Sequence, residues 1–304
     1  MGLNDFYYNS LNGTINELEK QRKDIVFRLV VINITLLAIS YILYFYISFF
    51  TIIFFLMASR WAYSHLTYNY YQDFKAFIIK PLINQIDKNL LYEQQNSIPQ
   101  MVFDSSMLFQ RPDRYHGSDL IKGVIDGVNI KLSHINALYK TQDKDGKTSY
   151  GTIFEGVFIV ADFNKNFLGN TIILPDYSEK IFGNMISSWL QKTSFSRGKL
   201  IKLDDIAFER EFKVYGSDEV EAHYILSHSL MKKILDLKAK TNSTIYISFV
   251  NNHIYIAISG LSTNYNPPLF SSLLEFKVAS SYTQTLSLSL GVIDELKLNQ
   301  KLFK

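Results

Sequence analysis

Hydrophobic positions fall into three regimes along the chain. From the N-terminus to about residue 28 they recur at three- and four-residue steps: Tyr8, Leu11, Ile15, Leu18 and Ile25, with Arg22 in the same stripe. That period predicts an amphipathic helix over residues 1–28. It suits a helix lying at a membrane interface, or one that self-associates or packs on the rest of the protein. The pattern then becomes unbroken. LVVINITLLAISYILYFYISFFTIIFFLMAS, Leu29–Ser59, has no charged residue, no glycine and no proline. About 20 apolar residues cross a bilayer as a helix, so 29–59 is expected to be a transmembrane segment. A buried core helix is rarely so long or apolar all round. A cleaved signal peptide would start earlier and end at a small-x-small site.

Flanking charge bears on the number of crossings. Lys20, Arg22, Lys23 and Arg28 precede the run, and Arg60, Lys75 and Lys80 follow it. Basic residues stay on the cytoplasmic side, which places both ends there and favours a helical hairpin over one tilted pass. Tyr41, Tyr44, Phe45, Tyr46, Phe49 and Phe50 cluster mid-run, where a hairpin would return to an interface. Asn33 is the one strongly polar side chain in the run, too little for an ion or proton pathway.

Residues 60–95 predict a juxtamembrane helix, kinked or restarted at Pro81, which has no N–H to donate. Trp61, Tyr63, Tyr68, Tyr70 and Tyr71 suit the headgroup zone. The polar stretch Glu93–Pro99 reads as a linker.

In the third regime, residues 101–304, the period shortens to two. Ile121–Ile125 and Val128–Ser133 flank Asp126-Gly127, a hairpin turn needing positive φ at both positions. TIFEGVFIVADF, TIILPD, KLIKL and FEREFKVY read as further strands. STIYISFV and HIYIAIS form another hairpin around Asn251-Asn252, with Ile245, Ile247 and Phe249 on one face. Helices are expected over SEKIFGNMISSWLQK, capped by Asp176 with Glu179, over two segments capped by Asp218 and Ser227, and in the tail, where Leu286, Leu290, Ile293 and Leu296 share a face. The fold class is α+β: an N-terminal helix and transmembrane helical hairpin, then a mostly antiparallel mixed α+β soluble domain.

The densest chemistry lies in FEREFKVYGSDEVEAHYILSHSLMKKIL, Phe208–Leu235. Asp218 would accept a backbone N–H near Glu221 and Glu221 would return the bond, while Val220, Tyr224 and Ile225 face the core. Lys232, Lys233 and Lys238 would point to water. The sharper alternatives are an acid–base pair of Glu221 and His223 with Ser227 or Asp218 nearby, and a hydrolase using Glu209, Glu211, Asp218 or Glu221. Residues two apart on a helix diverge, and His223 with His228 has no specific metal-ligand spacing. The chain has no cysteine, which excludes disulfides, thiolate metal sites and cysteine nucleophiles. Thr141–Thr152 lacks the first- and twelfth-position acids of a calcium loop, and phosphate-loop, dinucleotide and esterase motifs are missing. His65, His116, His134 and His253 stand isolated in sequence. A net charge of +3 gives no field for nucleic acid. The expected catalytic, cofactor-binding and metal residues are therefore none.

That block, followed by ISFVNNHIYIAI and preceded by YQDFKAFIIKPL and FEGVFIVADFNKNFLGNTIILPD, resembles a bacterial family catalogued as domain of unknown function 3137. The resemblance covers most of the chain after Tyr63. It implies a membrane-anchored bacterial protein and strengthens the hairpin. The family usually has Arg where His223 stands and Pro where His228 stands, which weakens a catalytic role for either, and it brings no activity to carry over. The resulting expectation is a non-enzymatic binding or scaffold protein in the bacterial inner membrane, its soluble domain cytoplasmic. Its partners would be the bilayer and a protein, or a second copy held through the N-terminal helix. The alternatives are a membrane-tethered hydrolase and an accessory subunit of a larger membrane complex.

Overall fold

In the computed structural model, residues 2–47, 50–142, 146–162, 167–176, 198–261 and 265–292 are described. The chain divides into two compact units, one of residues 1–88 with 265–284, the other of 89–264 with 285–304.

The first unit is helical. Helix α1 runs Asn12–Ile47 and α2 runs Phe50–Phe74. Ser59 Oγ donates to Asn33 Oδ1 at 2.7 Å, so the one strongly polar side chain of the apolar run meets a hydroxyl on the other helix. After α2 the backbone makes a π-turn over Lys75–Ile79 and continues as α3, Lys80–Ile86, with Pro81 in its first turn. The wider turn accommodates a residue that cannot donate and that would clash with the carbonyl four residues back.

The N-terminal stripe is buried within this unit. Leu11, Ile15, Leu18, Ile25 and Leu29 are all covered. Tyr7 rather than Tyr8 begins the stripe, because a π-turn over Phe6–Ser10 shifts its phase. Glu19 and Arg22 pair through two hydrogen bonds, Nε to Oε2 at 2.9 Å and Nη2 to Oε1 at 2.7 Å. Together they hold residues 265–284: Arg22 Nη1 donates to the Leu269 carbonyl, and Leu273 N donates to Glu19 Oε2. Tyr7 adds a bond to the Leu273 carbonyl and Tyr70 one to that of Pro268.

Beyond the stripe most large apolar side chains of the run are exposed. Ile34 is 62% exposed, Phe50 71% and Met57 68%. Among the described residues α1 is the one helix long and apolar enough to cross a membrane, over Asn12–Tyr44, and only 11% of its most apolar window is buried. From Phe50 to Arg60 helix α2 advances about 15 Å, half a bilayer core, before meeting a charge.

The second unit is built on an antiparallel sheet. Its strands are β1 Leu91–Glu93, β2 Arg114–Ile125, β3 Val128–Gln142, β4 Thr148–Asp162, β5 Asn170–Pro175, β6 Lys199–Ile201, β7 Phe212–Gly216, β8 Thr244–Val250 and β9 His253–Ser259. Their order is β1-β2-β3-β4-β9-β8-β5-β7-β6. The sheet and its flanking helices make the class α+β. Asp126 and Gly127, at φ 49° and 83°, turn β2 into β3, and Asn251, at φ 57°, turns β8 into β9. Tyr246, Ser248 and Val250 are as buried as Ile245, Ile247 and Phe249, so β8 is covered on both faces. That explains why its sequence reads as an apolar run rather than a clean alternation.

Helix α4, Gln100–Ser105, packs on the sheet through Phe103, whose ring lies 5.3 Å from Phe109, 5.5 Å from Tyr115 and 5.1 Å from Phe158. The stretch expected as a linker is part of this unit. Glu93 of β1 pairs with Leu120 of β2, and Ile98 is fully buried with its N–H donating to Ser133 Oγ. Its polar residues mislead because their partners are backbone groups of the sheet, as when Leu120 N donates to the Asn96 carbonyl. The helix expected over 178–192 lies outside the described residues, as do Asp143 and Asp145 of the loop after β3. A C-terminal helix, α8, spans Phe276–Leu290. Leu286 and Leu290 are buried, while Ile293 and Leu296 lie outside the described residues.

Candidate functional site

FEREFKVY is not one strand. Asp205 accepts from Phe208 N at 3.0 Å and caps a helical turn, α5, Ile206–Glu211. The strand β7 begins only at Phe212. The spacing that read as a strand face is a four-residue helical step, and the Phe208 and Phe212 rings sit 5.0 Å apart. Asp204-Asp205 ahead of the block was the available signal for a helix start.

Helix α6, Glu219–Ile225, starts where expected, with Asp218 accepting from Glu221 N at 3.0 Å. Glu221 does not return the bond. Its carboxylate accepts from Leu168 N at 3.0 Å and Gly169 N at 2.8 Å, and Ser217 Oγ takes the next N–H, of Asn170. Three successive donors leading into β5 are thereby satisfied, a task local sequence spacing could not show. Ala222 and Ile225 are buried, whereas Val220 is 80% exposed and Tyr224 also faces outward. In α7, His228–Thr241, Ser227 caps Leu230 N, and Leu230, Ile234 and Leu237 are buried. Lys238 is not in open water. It pairs with Glu211 and lies 5.3 Å from the Phe212 ring.

Four of the five acids of the block thus have a structural partner, and the fifth, Glu219, lies in the first turn of α6. Glu209 Oε1 accepts from Leu203 N, Glu211 meets Lys238, Asp218 caps α6, and Glu221 holds the β5 turn. They do not converge. His228 Nδ1 lies 3.2 Å from Asp205 Oδ2 in an open groove that His223 also lines, but the His228 side chain is 83% exposed. Among the described residues no group of three or more His, Cys, Asp or Glu is placed to hold a metal ion. Asp218→Ala is expected to cost about 1 kcal/mol and to speed amide exchange at Glu221. Hydrogen exchange of the full chain measures it, and unchanged protection at Glu221 would contradict the cap.

A different cluster escaped the sequence reading. His253 Nε2 lies 3.4 Å from Asp162 Oδ1, and Asn129 Nδ2 donates to Asp162 Oδ2 at 2.8 Å. These residues are far apart in sequence, and only strand register joins them.

Residues 152–298 match the model of a family described as "Protein of unknown function (DUF3137)". The match is narrower than the stretch after Tyr63 that resembles the family. No curated protein matches the chain. Among solved structures, the chain is similar to the mycobacterial trehalose monomycolate transport factor A, TtfA, at 10% identity and a TM-score of 0.36, over 69% of this chain and 90% of that one.

Proposed function

We propose, for a chain whose residues 152–298 match the model of the family described as "Protein of unknown function (DUF3137)", the role of a membrane-anchored, non-enzymatic binding or scaffold protein. The observation that carries this reading is the bare apolar surface of Leu29–Ser59. Side chains such as Ile34, Leu37, Phe54 and Met57 are more than half exposed. Contiguous exposure on this scale is unfavourable in water and suits hydrocarbon. The hydrolase alternative loses support because its four acids are spread over separate structural bonds.

The membrane is the cytoplasmic membrane of a bacterium, with both ends of the hairpin and the sheet unit on the cytoplasmic side, as the basic flanks favour. Asn33 with Ser59 ties the two helices together inside the bilayer. The protein partner meets the sheet unit rather than the N-terminal stripe, because that stripe is already buried in the first unit. Protease added to inside-out vesicles tests the orientation. Digestion of residues 89–304 is the expected result, and protection would overturn the cytoplasmic placement.

A further inference from the structure

We propose that the concavity between α4 and the β3–β4–β9 end of the sheet binds a small carboxylate with a short apolar tail. The inference goes beyond the scaffold reading and rests on the sheet unit alone. On the face that α4 covers, β4 carries Phe154, Phe158 and Val160, all buried, and then Asp162. The neighbouring strands change from apolar to polar at the same level. Asp162 pairs with His253 of β9, and Asn129 of β3 reaches Asp162 through its side chain. One row further in stand Lys131, Val160 and Tyr255, each opposite the next. Three adjacent strands thus place polar groups together at the end of an aromatic core. Rigid strands, rather than loops, hold them.

Val102, Ser105, Ile130 and Val160 help line the space, of about 160 Å³. That equals roughly five water molecules and falls below the usual range for cofactor pockets. A nucleotide is too large, whereas an acid of a few carbons fits. Charge selects the head group. Asp162 already accepts a hydrogen bond from Asn129 and has His253 Nε2 3.4 Å from its other oxygen, so both its oxygens have polar neighbours. Lys131 has no ion-pair partner among the described residues. Its ammonium is left to receive an anion, with Val102, Val160 and the Tyr255 ring beside the tail.

The probe is sodium butyrate, titrated into the full chain in detergent micelles, with the imidazole signals of His253 read by NMR and assigned through His253→Gln. The expected result is a saturable shift of His253. Lys131→Met should raise the dissociation constant about tenfold or more, while Lys131→Arg stays within about threefold. Thermal melting of both variants checks that the fold is kept. Absence of a saturable shift, an equal response to butanol, or an unchanged constant in Lys131→Met would overturn the site. Equal competition by inorganic phosphate would overturn the choice of a tailed carboxylate. None of these outcomes bears on membrane insertion, so failure here leaves the anchor reading standing.

Discussion

Phe103→Ala is expected to destabilise the sheet unit by about 3–5 kcal/mol, the range for deleting a fully buried aromatic ring. Helix α4 has six residues and could not persist alone in water. Phe103 is its one fully covered side chain, 1% exposed, and its ring meets four others. Removing it empties the centre of the cluster formed with Phe109, Tyr115, Phe154 and Phe158. Neighbours on strands cannot collapse inward without breaking register, so the cavity should stay open. Urea unfolding of the full chain in micelles, followed by far-ultraviolet circular dichroism, reads the change. A loss under 1 kcal/mol would show that α4 does not depend on this ring.

Glu19→Ala should cost about as much, roughly 3–5 kcal/mol, because it leaves Arg22 buried without its counter-charge. The Glu19 and Arg22 side chains are only 5% and 11% exposed. The deletion also removes the acceptor of the Leu273 N–H and loosens residues 265–284. The hydrogen bonds from Arg22 hold the Glu19 carboxyl below its ordinary value of 4.5, outweighing the opposing effect of burial. The sign for stability follows. A folded-state value below the unfolded one contributes stability that is complete above about pH 4.5 and is lost as pH falls through the folded value. Wild type should therefore lose stability on acidification below pH 4.5 more steeply than Glu19→Gln. Parallel melting curves for the two proteins down to pH 3 would contradict the assignment.

Sequence showed most clearly what local rules decide. The Asp126-Gly127 and Asn251-Asn252 turns, the caps at Asp218 and Ser227, and the uncharged stretch all follow from neighbours within a few residues. It failed where a distant partner chose the outcome. Glu221 spends its carboxylate on residues 168 and 169, and Lys238 turns from solvent toward Glu211. Glu93–Pro99 looked like a linker because its polar groups gave no sign of the β2 and β3 backbone they meet. Residues 265–284 join the N-terminal helices through Glu19 and Arg22, a pairing across some 250 positions that no periodicity reveals. The polar row of Asn129, Asp162 and His253 was hidden for the same reason, since strand order, not spacing, brings it together.

Alkaline carbonate washing of membranes that contain the full chain shows whether hydrocarbon surrounds Leu29–Ser59. Retention in the washed pellet, with release only by detergent, is the predicted result. Release into the supernatant as a monodisperse protein without detergent would contradict it.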